Sequence, residues 1–550
     1  MFENMSIYEA LKEGVKAGKS ATALYYQGKK ISFNKLSSLV DKYAAILKYE
    51  LNVKPNDVVL IALPNMPLTI ILYYAVNKIG AVSNLVHPFT PFNQMREIMQ
   101  KTNVKLSFLF EQRIAKEFDK YKEIANENIY VCRVEDHLPL IKKFIYHTFL
   151  NFRIRKKLKK QWKFEGFKYA YKLKSKHKNT ETYKRDVNAL SVLLHSGSTT
   201  GDPKTICLSD WNFNFLASHA CEYLDLKPEQ LIGYGMLSVL PSFHGFGLEW
   251  TMHAPLSNGL SSILIPKFSV KATIDALKHN KVVSMCGVPT MYTKLLNDES
   301  FQKCKRLKYT KVCFCGGDAM PITLQNKFNQ ILADNGSDGK LYEGYGLTES
   351  IAAFIVNTPK HYRQGSIGYP GSGVEMGIFD ENRNKLGPNE IGEIAVKSPS
   401  NMIGYYNDKK ATDDCTKDGW LFTGDLGYMD EDNYVYFKQR IKRVVKVSGV
   451  AVFPTEIEHL IESIPGVEGA CAVSIPDKKL ISSIKVFVVS KAVDKEGMKQ
   501  IIFDTCRKYL IRWAVPKEIE FRNELPMTLL GKIDFKILQK EEDEKRKTNE

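Results

Sequence analysis

A polar loop at residues 196–204 carries the clearest chemical signal in this chain. It combines hydroxyl side chains, flexible glycines, backbone N–H groups and one lysine, which are the groups that bind a polyphosphate. A Walker loop has its lysine directly after the second glycine, but here Asp202 and Pro203 separate Gly201 from Lys204. The loop therefore predicts phosphate binding without supporting a kinase or a GTPase, and an ordinary Ser/Thr/Gly turn is the alternative. The predicted binding residues are Ser196, Gly197, Ser198, Thr199, Thr200, Gly201 and Lys204.

Further motifs follow this loop towards the C-terminus. They are Gly316-Gly317-Asp318-Ala319, residues 342–350, residues 419–425, Arg440, residues 449–458 and residues 526–532. In this order they resemble the adenylate-forming superfamily of acyl-CoA synthetases, peptide-synthetase adenylation domains and luciferases. That family has a phosphate loop of the form Ser-Gly-Thr-Thr-Gly-x-Pro-Lys. The resemblance covers residues 196–532 and is more diffuse in the N-terminal third.

The resemblance implies a pocket for the adenine of ATP. Tyr345 would present a flat face on which the ring stacks, and Gly316 and Gly317 would let the backbone approach it closely. Asp318 and Gly346 belong to the same predicted nucleotide site. Outside this family context, Tyr345 would be interpreted as a core residue beside a turn.

The resemblance also assigns the ribose, the metal and the catalytic groups. Asp425 would accept hydrogen bonds from the ribose hydroxyls, and Arg440 would donate to the ribose or a phosphate. Thr348 would bind the α-phosphate, and Glu349 would be the oxygen ligand of Mg²⁺. Lys532 would stabilise the charge that develops between the substrate carboxylate and the α-phosphate. Outside this family context, Asp425 and Arg440 would be interpreted as surface charges. Glu349 would be a carboxylate at a helix start, and Lys532 a solvated lysine.

The remaining predicted positions concern the acid, the hinge and coenzyme A. His244 resembles the residue that borders the substrate carboxylate, with Phe243 and Gly287 in the same pocket; a loop histidine bound by backbone is the alternative. No general base is needed for the first step, since a carboxylic acid is already ionised near neutral pH. Lys442 resembles the hinge about which the small domain rotates, and Gly449 lies on the coenzyme A side.

The elements that position these residues are of the α/β type. Short β-branched runs alternate with helical patterns, and strands at residues 192–194 and 311–315 lead into two of the predicted loops. The family implies two doubly wound α/β subdomains plus a distorted β-barrel, followed by a small mobile α+β domain. We predict an AMP-binding N-terminal domain at residues 1–440 and a C-terminal domain at 441–550 that carries the catalytic lysine.

The net charge of +17 is concentrated in one insert. Residues 137–178 contain fourteen Lys or Arg against the single acid Glu165. Ile141, Ile145, Phe149 and Phe152 recur at helical spacing within it, which is typical of a basic amphipathic helix on an anionic membrane. A solvated surface helix is the alternative. A nucleic-acid partner is not expected, because no reading module accompanies the charge.

Other features argue against further protein classes. The ten cysteines are scattered, which indicates neither a disulfide framework nor a zinc site. Prolines and an asparagine interrupt the apolar residues 58–76, so these predict a buried strand, turn and helix and not a membrane span. Residues 1–19 lack the layout of a secretion signal. We expect a cytoplasmic protein, either free or peripheral at a membrane.

The sequence therefore predicts an ATP-dependent acid–CoA ligase that works through an acyl-AMP intermediate with ATP, Mg²⁺ and coenzyme A. Residues 287–292 and the basic insert resemble those of fatty acid ligases, which favours a medium- or long-chain fatty acid. The alternatives are an acyl-AMP ligase that loads an acyl carrier protein, and an aryl- or bile-acid–CoA ligase. A catalytically inactive membrane-associated binding protein is the alternative of another class.

Overall fold

The computed structural model describes residues 2–124, 128–146, 168–196, 204–477, 480–527 and 533–547. One sheet has nine strands within this part of the chain. In spatial order they are Tyr369–Pro370, Ala353–Val356, Lys340–Gly346, Val312–Gly316, Val282–Gly287, Gly235–Ser238, Ser261–Leu264, Thr22–Tyr26 and Lys29–Ser32. The six strands from Lys340–Gly346 to Thr22–Tyr26 run parallel. Their carboxyl ends meet at one edge, where ligands bind in open α/β sheets.

A second sheet has eight described strands. In spatial order they are Gly404–Tyr405, Thr205–Ser209, Leu190–His195, Val82–Leu85, Val58–Ala62, Val104–Phe110, Ile129–Cys132 and Lys168–Tyr169. The six strands from Leu190–His195 onward are parallel, and the first two are antiparallel to their neighbours. Strand Val58–Ala62 and the buried helix Pro67–Lys78 form the strand, turn and helix that were predicted for residues 58–76.

A third sheet is antiparallel and curled. It contains Glu375–Phe379, Gly392–Lys397, Trp420–Met429, Thr416–Lys417 and Val435–Arg440. Register shifts between Glu393 and Ala395 and between Leu426 and Gly427 mark bulges, which bend a sheet.

The described strands after residue 440 belong to two further sheets. They are Val445–Val447 with Val450–Val452, and Val467–Asp477 with Ile481–Ser490 and Glu518–Arg522. The boundary predicted at residue 440 falls at the end of strand Val435–Arg440 and stays a prediction.

Helices cover the parallel sheets and fill the space between them. Helix Pro67–Lys78 is apolar around most of its circumference and buried along its whole length, as expected for a helix inside a domain core. Up to residue 440 the other described α-helices are Ile7–Gly18, Phe33–Ala45, Phe92–Lys101, Glu111–Lys116, Phe118–Glu123, Leu140–Ile145, Asp210–Ser218, Ala220–Leu224, Gly245–Leu248, Ala254–Ser257, Val270–His279, Pro289–Leu296, Glu299–Gln302, Ile322–Asp334 and Lys409–Cys415. Beyond it they are Pro454–Glu462, Lys495–Tyr509 and Phe535–Lys547.

The basic insert is described only at its two ends. Ile141 and Ile145 lie on the short helix Leu140–Ile145, and Lys168–Tyr169 is an edge strand. Phe149 and Phe152 lie outside the described residues. Among the helices that the structure describes, none is both long enough and apolar enough to cross a bilayer.

Candidate active site

The phosphate loop connects two antiparallel strands, Leu190–His195 and Thr205–Ser209. The Ser196 N–H donates to the Lys204 carbonyl at 2.9 Å, and the Lys204 N–H donates to Ser196 Oγ at 3.0 Å. The loop is therefore a hairpin connection whose ends are fixed by backbone and hydroxyl hydrogen bonds. The predicted loop residues that lie outside the described part of the chain are Gly197, Ser198, Thr199, Thr200 and Gly201.

Two predicted site residues, Lys204 and Glu349, both contact the side chain of Tyr405. Thr348 and Glu349 lie in a 3-10 turn just after strand Lys340–Gly346. The Tyr405 hydroxyl donates to Glu349 Oε1 at 2.9 Å, and Lys204 Nζ lies 4.2 Å from the centroid of the Tyr405 ring. Burial and the charge of Glu349 raise the pKa of Tyr405, so its hydroxyl remains a donor at neutral pH. The cation and the carboxylate are thus held by one side chain.

A second cluster lies on the predicted ribose side. The Tyr345 hydroxyl donates to Asp425 Oδ2 at 2.6 Å, and Arg440 Nε lies 3.2 Å from Asp425 Oδ1. Asp425 and Arg440 face each other across adjacent strands of the curled sheet. The Tyr345 ring packs edge-on against Phe354, with Phe437 tilted at 6.3 Å. Asp425 is 2% exposed, so the tyrosine and the arginine compensate a buried carboxylate.

The predicted adenine loop begins where strand Val312–Gly316 ends. A Cβ at Gly316 would lie 2.8 Å from the carbonyl oxygen of Gly344 on the neighbouring strand, so a side chain does not fit there. Gly317 has φ +81°, a conformation that favours glycine. Asp318 and Gly346 are both exposed at this edge of the sheet.

The loop that carries His244 packs against the turn of Glu349. A Cβ at Gly245 would lie 1.8 Å from the carbonyl oxygen of Ile351, so the two backbones are in direct contact. The Phe243 ring packs edge-on against His87, with 4.6 Å between the ring centroids. The contact between Gly245 and Ile351 brings the loop of the predicted acid pocket next to the turn that carries Glu349, the predicted metal ligand.

Gly287 ends a strand beside the adenine loop. It pairs with Cys315, the residue before Gly316, in the adjacent parallel strand. A Cβ at Gly287 would lie 1.9 Å from Met291 Cε, so the missing side chain leaves room for this methionine. The predicted pocket residue is thus one strand away from the predicted nucleotide loop.

The predicted hinge and coenzyme A residues lie just beyond the curled sheet. Lys442 is the exposed middle residue of the 3-10 turn Ile441–Arg443. Gly449 has φ +82° and lies between two short antiparallel strands. Lys532 lies outside the described residues. The roles of all three residues stay predictions.

The donor set suits a magnesium ion that is bound mainly by phosphates. Within the described residues there is no group of three His, Cys, Asp or Glu side chains that could hold a metal. Mg²⁺ commonly takes one or two carboxylates together with substrate phosphates, and Glu349 would supply one such carboxylate.

Tyr405 is the site residue that the sequence analysis missed. It carries no formal charge, and it is 56 residues from Glu349 in the sequence. The pairing of Gly404–Tyr405 with Thr205–Ser209 brings it beside the phosphate loop. The local signal was only the Gly-Tyr-Tyr step, which does not by itself indicate a polar role.

The predicted phosphate, metal and ribose residues follow the order of motifs that resembles the adenylate-forming superfamily, and family models match the chain accordingly. The model of the AMP-binding enzyme family matches residues 11–406, and that of the AMP-binding enzyme C-terminal domain matches residues 456–532. The chain belongs to the AMP-binding enzyme family.

Two curated relatives align with almost the whole chain. The chain is 31% identical to a protein named long-chain-fatty-acid–CoA ligase from Bacillus subtilis (strain 168), with 98% of this chain and 95% of the relative covered. It is 29% identical to a protein of the same name from Haemophilus influenzae, again with 98% and 95% covered.

Solved structures share the fold at lower identity. An anthranilate CoA ligase in complex with anthranoyl-AMP has a TM-score of 0.82 and 19% identity, with 98% of this chain and 97% of that chain covered. The o-succinylbenzoate CoA synthetase of Bacillus subtilis with ATP and magnesium has a TM-score of 0.78 and 21% identity, with 96% and 99% covered.

These findings confirm several predictions. The fold class is the predicted one, with a large N-terminal α/β domain, a curled sheet and a separate C-terminal domain. The enzyme class is an AMP-forming acid–CoA ligase, which uses ATP, Mg²⁺ and coenzyme A.

Proposed function

We propose that this enzyme activates a medium- or long-chain fatty acid as an acyl-AMP and transfers the acyl group to coenzyme A. One observation carries the proposal. Tyr345 and Glu349 are four residues apart, and they join the Asp425–Arg440 cluster to the Tyr405–Lys204 cluster. The first cluster suits a ribose and the second suits phosphates and a cation, so the end of strand Lys340–Gly346 and the turn after it would hold both halves of ATP.

The chemistry needs positioning more than it needs a base. The substrate carboxylate, held beside His244, would attack the α-phosphorus of ATP and release pyrophosphate. Lys204 and Lys532 would balance the charge on the phosphates, and Thr348 would hold the α-phosphate. When bound, Mg²⁺ would supply positive charge to the phosphate oxygens. In the second step the coenzyme A thiolate would open the mixed anhydride, leaving a thioester and AMP.

The fatty acid part of the proposal is supported by the names of the two relatives described above. The solved aryl-acid ligases are below 25% identity, so their likeness concerns the fold and does not favour an aryl substrate. Met291 beside Gly287 is an adaptable apolar side chain next to the predicted acid pocket, which suits a long acyl chain better than a short polar acid.

The test is release of pyrophosphate with ATP and Mg²⁺ across acids from acetate to palmitate, together with benzoates and bile acids, with and without coenzyme A. The proposal expects release with a fatty acid and repeated turnover only with coenzyme A. A single equivalent regardless of coenzyme A would indicate a carrier-protein acceptor. Preference for benzoates or bile acids would overturn the fatty acid assignment, and binding of ATP without release with any acid would indicate the inactive binding protein.

We also propose that the basic insert at residues 137–178 contacts anionic membranes. Leu140 is 85% exposed and Ile141 is 77% exposed, and both lie on one short helix with Lys142 and Lys143. Apolar side chains that enter the interface beside lysines that attract anionic lipid form a common peripheral anchor.

Flotation with vesicles tests this second proposal. Wild-type protein should float with vesicles that contain phosphatidylglycerol and not with phosphatidylcholine alone. Leu140→Ser combined with Ile141→Ser should abolish flotation. Ile511→Ser is a matched control, because Ile511 is an exposed apolar residue elsewhere on the chain. Equal flotation of both variants would refute contact through this helix.

A further inference from the structure

Tyr405 joins two segments that are distant in the sequence. Its ring lies under Lys204 at the end of the phosphate loop, and its hydroxyl donates to Glu349. Backbone hydrogen bonds reinforce both connections. The Met402 N–H donates to the Glu349 carbonyl at 2.7 Å, and the Tyr406 N–H donates to the Thr205 carbonyl at 2.8 Å. Tyr405 is therefore held rigidly between the two segments.

The hydroxyl constrains how the carboxylate can act. A carboxylate has two oxygens, and a donor that engages Glu349 Oε1 restricts the plane of the group, while no hydrogen bond from the described residues reaches Oε2. Groups that hydrogen-bond to a metal ligand commonly set its orientation and hence its affinity for the ion. The hydroxyl of Tyr405 is suited to this task, since it donates to one oxygen only.

The ring constrains the lysine in a different way. An ammonium group above an aromatic face is attracted by the electron-rich π system. Lys204 is exposed and has a long flexible side chain, so the ring limits the volume that its ammonium samples. Tyr405 thus restricts the positions of both the Lys204 ammonium and the Glu349 carboxylate, which would bind the phosphates of ATP and the Mg²⁺ ion on them.

We propose that Tyr405 is a positioning residue that orients Glu349 for Mg²⁺ through its hydroxyl and orients Lys204 for phosphate through its ring. This inference rests on the proposed function, because it takes Glu349 and Lys204 as ligands of Mg²⁺ and of ATP. The two parts of the side chain have separate tasks, and substitutions can therefore separate them.

The experiment compares Tyr405→Phe, Tyr405→Leu and wild type in ATP binding by calorimetry at several Mg²⁺ concentrations. Tyr405→Phe keeps the ring but loses the hydroxyl that orients Glu349. The Mg²⁺ concentration needed for tight ATP binding should therefore rise by about tenfold. ATP binding without Mg²⁺ should stay at the wild-type level in this variant. Tyr405→Leu should weaken ATP binding with and without Mg²⁺, because the ring under Lys204 is lost as well.

Tyr406→Phe is the matched control, since it removes a hydroxyl from the next residue in the chain. Its Mg²⁺ dependence and its melting temperature should equal those of wild type. An unchanged Mg²⁺ dependence in Tyr405→Phe would overturn the inference, as would a loss of binding that only follows a lower melting temperature. Wild-type protein that binds ATP and Mg²⁺ but activates no acid would overturn the proposed function alone. Failure of wild type to bind ATP would overturn both.

Discussion

Replacing Asp425 with asparagine changes one atom at the centre of the ribose-side cluster. The wild-type carboxylate is 2% exposed, accepts from the Tyr345 hydroxyl at 2.6 Å, and lies 3.2 Å from Arg440 Nε. An asparagine has nearly the same shape, but it carries no charge and has only one oxygen acceptor. The variant cannot accept from Tyr345, from Arg440 and from a ribose hydroxyl as the carboxylate can.

The size of the effect follows from the kind of hydrogen bond that is lost. A hydrogen bond to a charged group contributes about 1.5–3 kcal/mol net. If one such bond to the ribose is lost, ATP binding should weaken by roughly 10- to 150-fold, since each 1.4 kcal/mol is a factor of ten. The fatty acid does not contact this cluster in the proposed arrangement, so its KM should stay unchanged.

The assay is the KM for ATP in pyrophosphate release at saturating acid, together with ATP affinity by calorimetry. Asp504→Asn is the control, because Asp504 is an exposed carboxylate on helix Lys495–Tyr509 with its own surface partners. The reasoning would be refuted if Asp425→Asn kept the wild-type KM for ATP, or if it raised the KM for the acid instead. A melting temperature near that of wild type is required for this comparison.

Three further outcomes are expected. Lys532→Ala should slow acyl-AMP formation on the order of a hundredfold or more, because one preorganised donor commonly contributes about 2.7–4 kcal/mol; a normal single-turnover rate would contradict this. Lys442→Pro should spare acyl-AMP formation and impair thioester formation, since a hinge residue absorbs the dihedral change, and equal loss of both steps would exclude the hinge. Burial, with Asp318 nearby, raises the pKa of Glu343 from 4.5 to about 8. The folded protein therefore retains a proton that the unfolded chain releases, and the free energy of unfolding should fall as the pH rises from about 4.5 to 8, by up to about 1.4 kcal/mol per pKa unit. Glu343→Gln should remove this dependence, so its melting temperature relative to wild type should increase from pH 5 to pH 8, and a constant difference would contradict the assignment.

Local sequence patterns predicted the elements of the fold well. The strands expected at residues 192–194 and 311–315 are observed at Leu190–His195 and Val312–Gly316. The strand and helix expected within residues 58–76 are observed at Val58–Ala62 and Pro67–Lys78. Apolar periodicity and flanking breakers act over a few residues, which is why they determine such elements. The helical pattern of the basic insert is borne out only at Leu140–Ile145 within the described residues.

The sequence by itself determined the chemical groups of this protein and their order, because side-chain types and the spacing within a motif are local properties. Only the tertiary structure decided which groups meet. Tyr345 reaches Asp425 across 80 residues, and Tyr405 reaches Glu349 across 56. These contacts depend on strand order and register, such as the pairing of Gly404–Tyr405 with Thr205–Ser209. Register follows from packing of the whole sheet, and a shift by one residue would turn Tyr405 to the opposite face, away from Glu349.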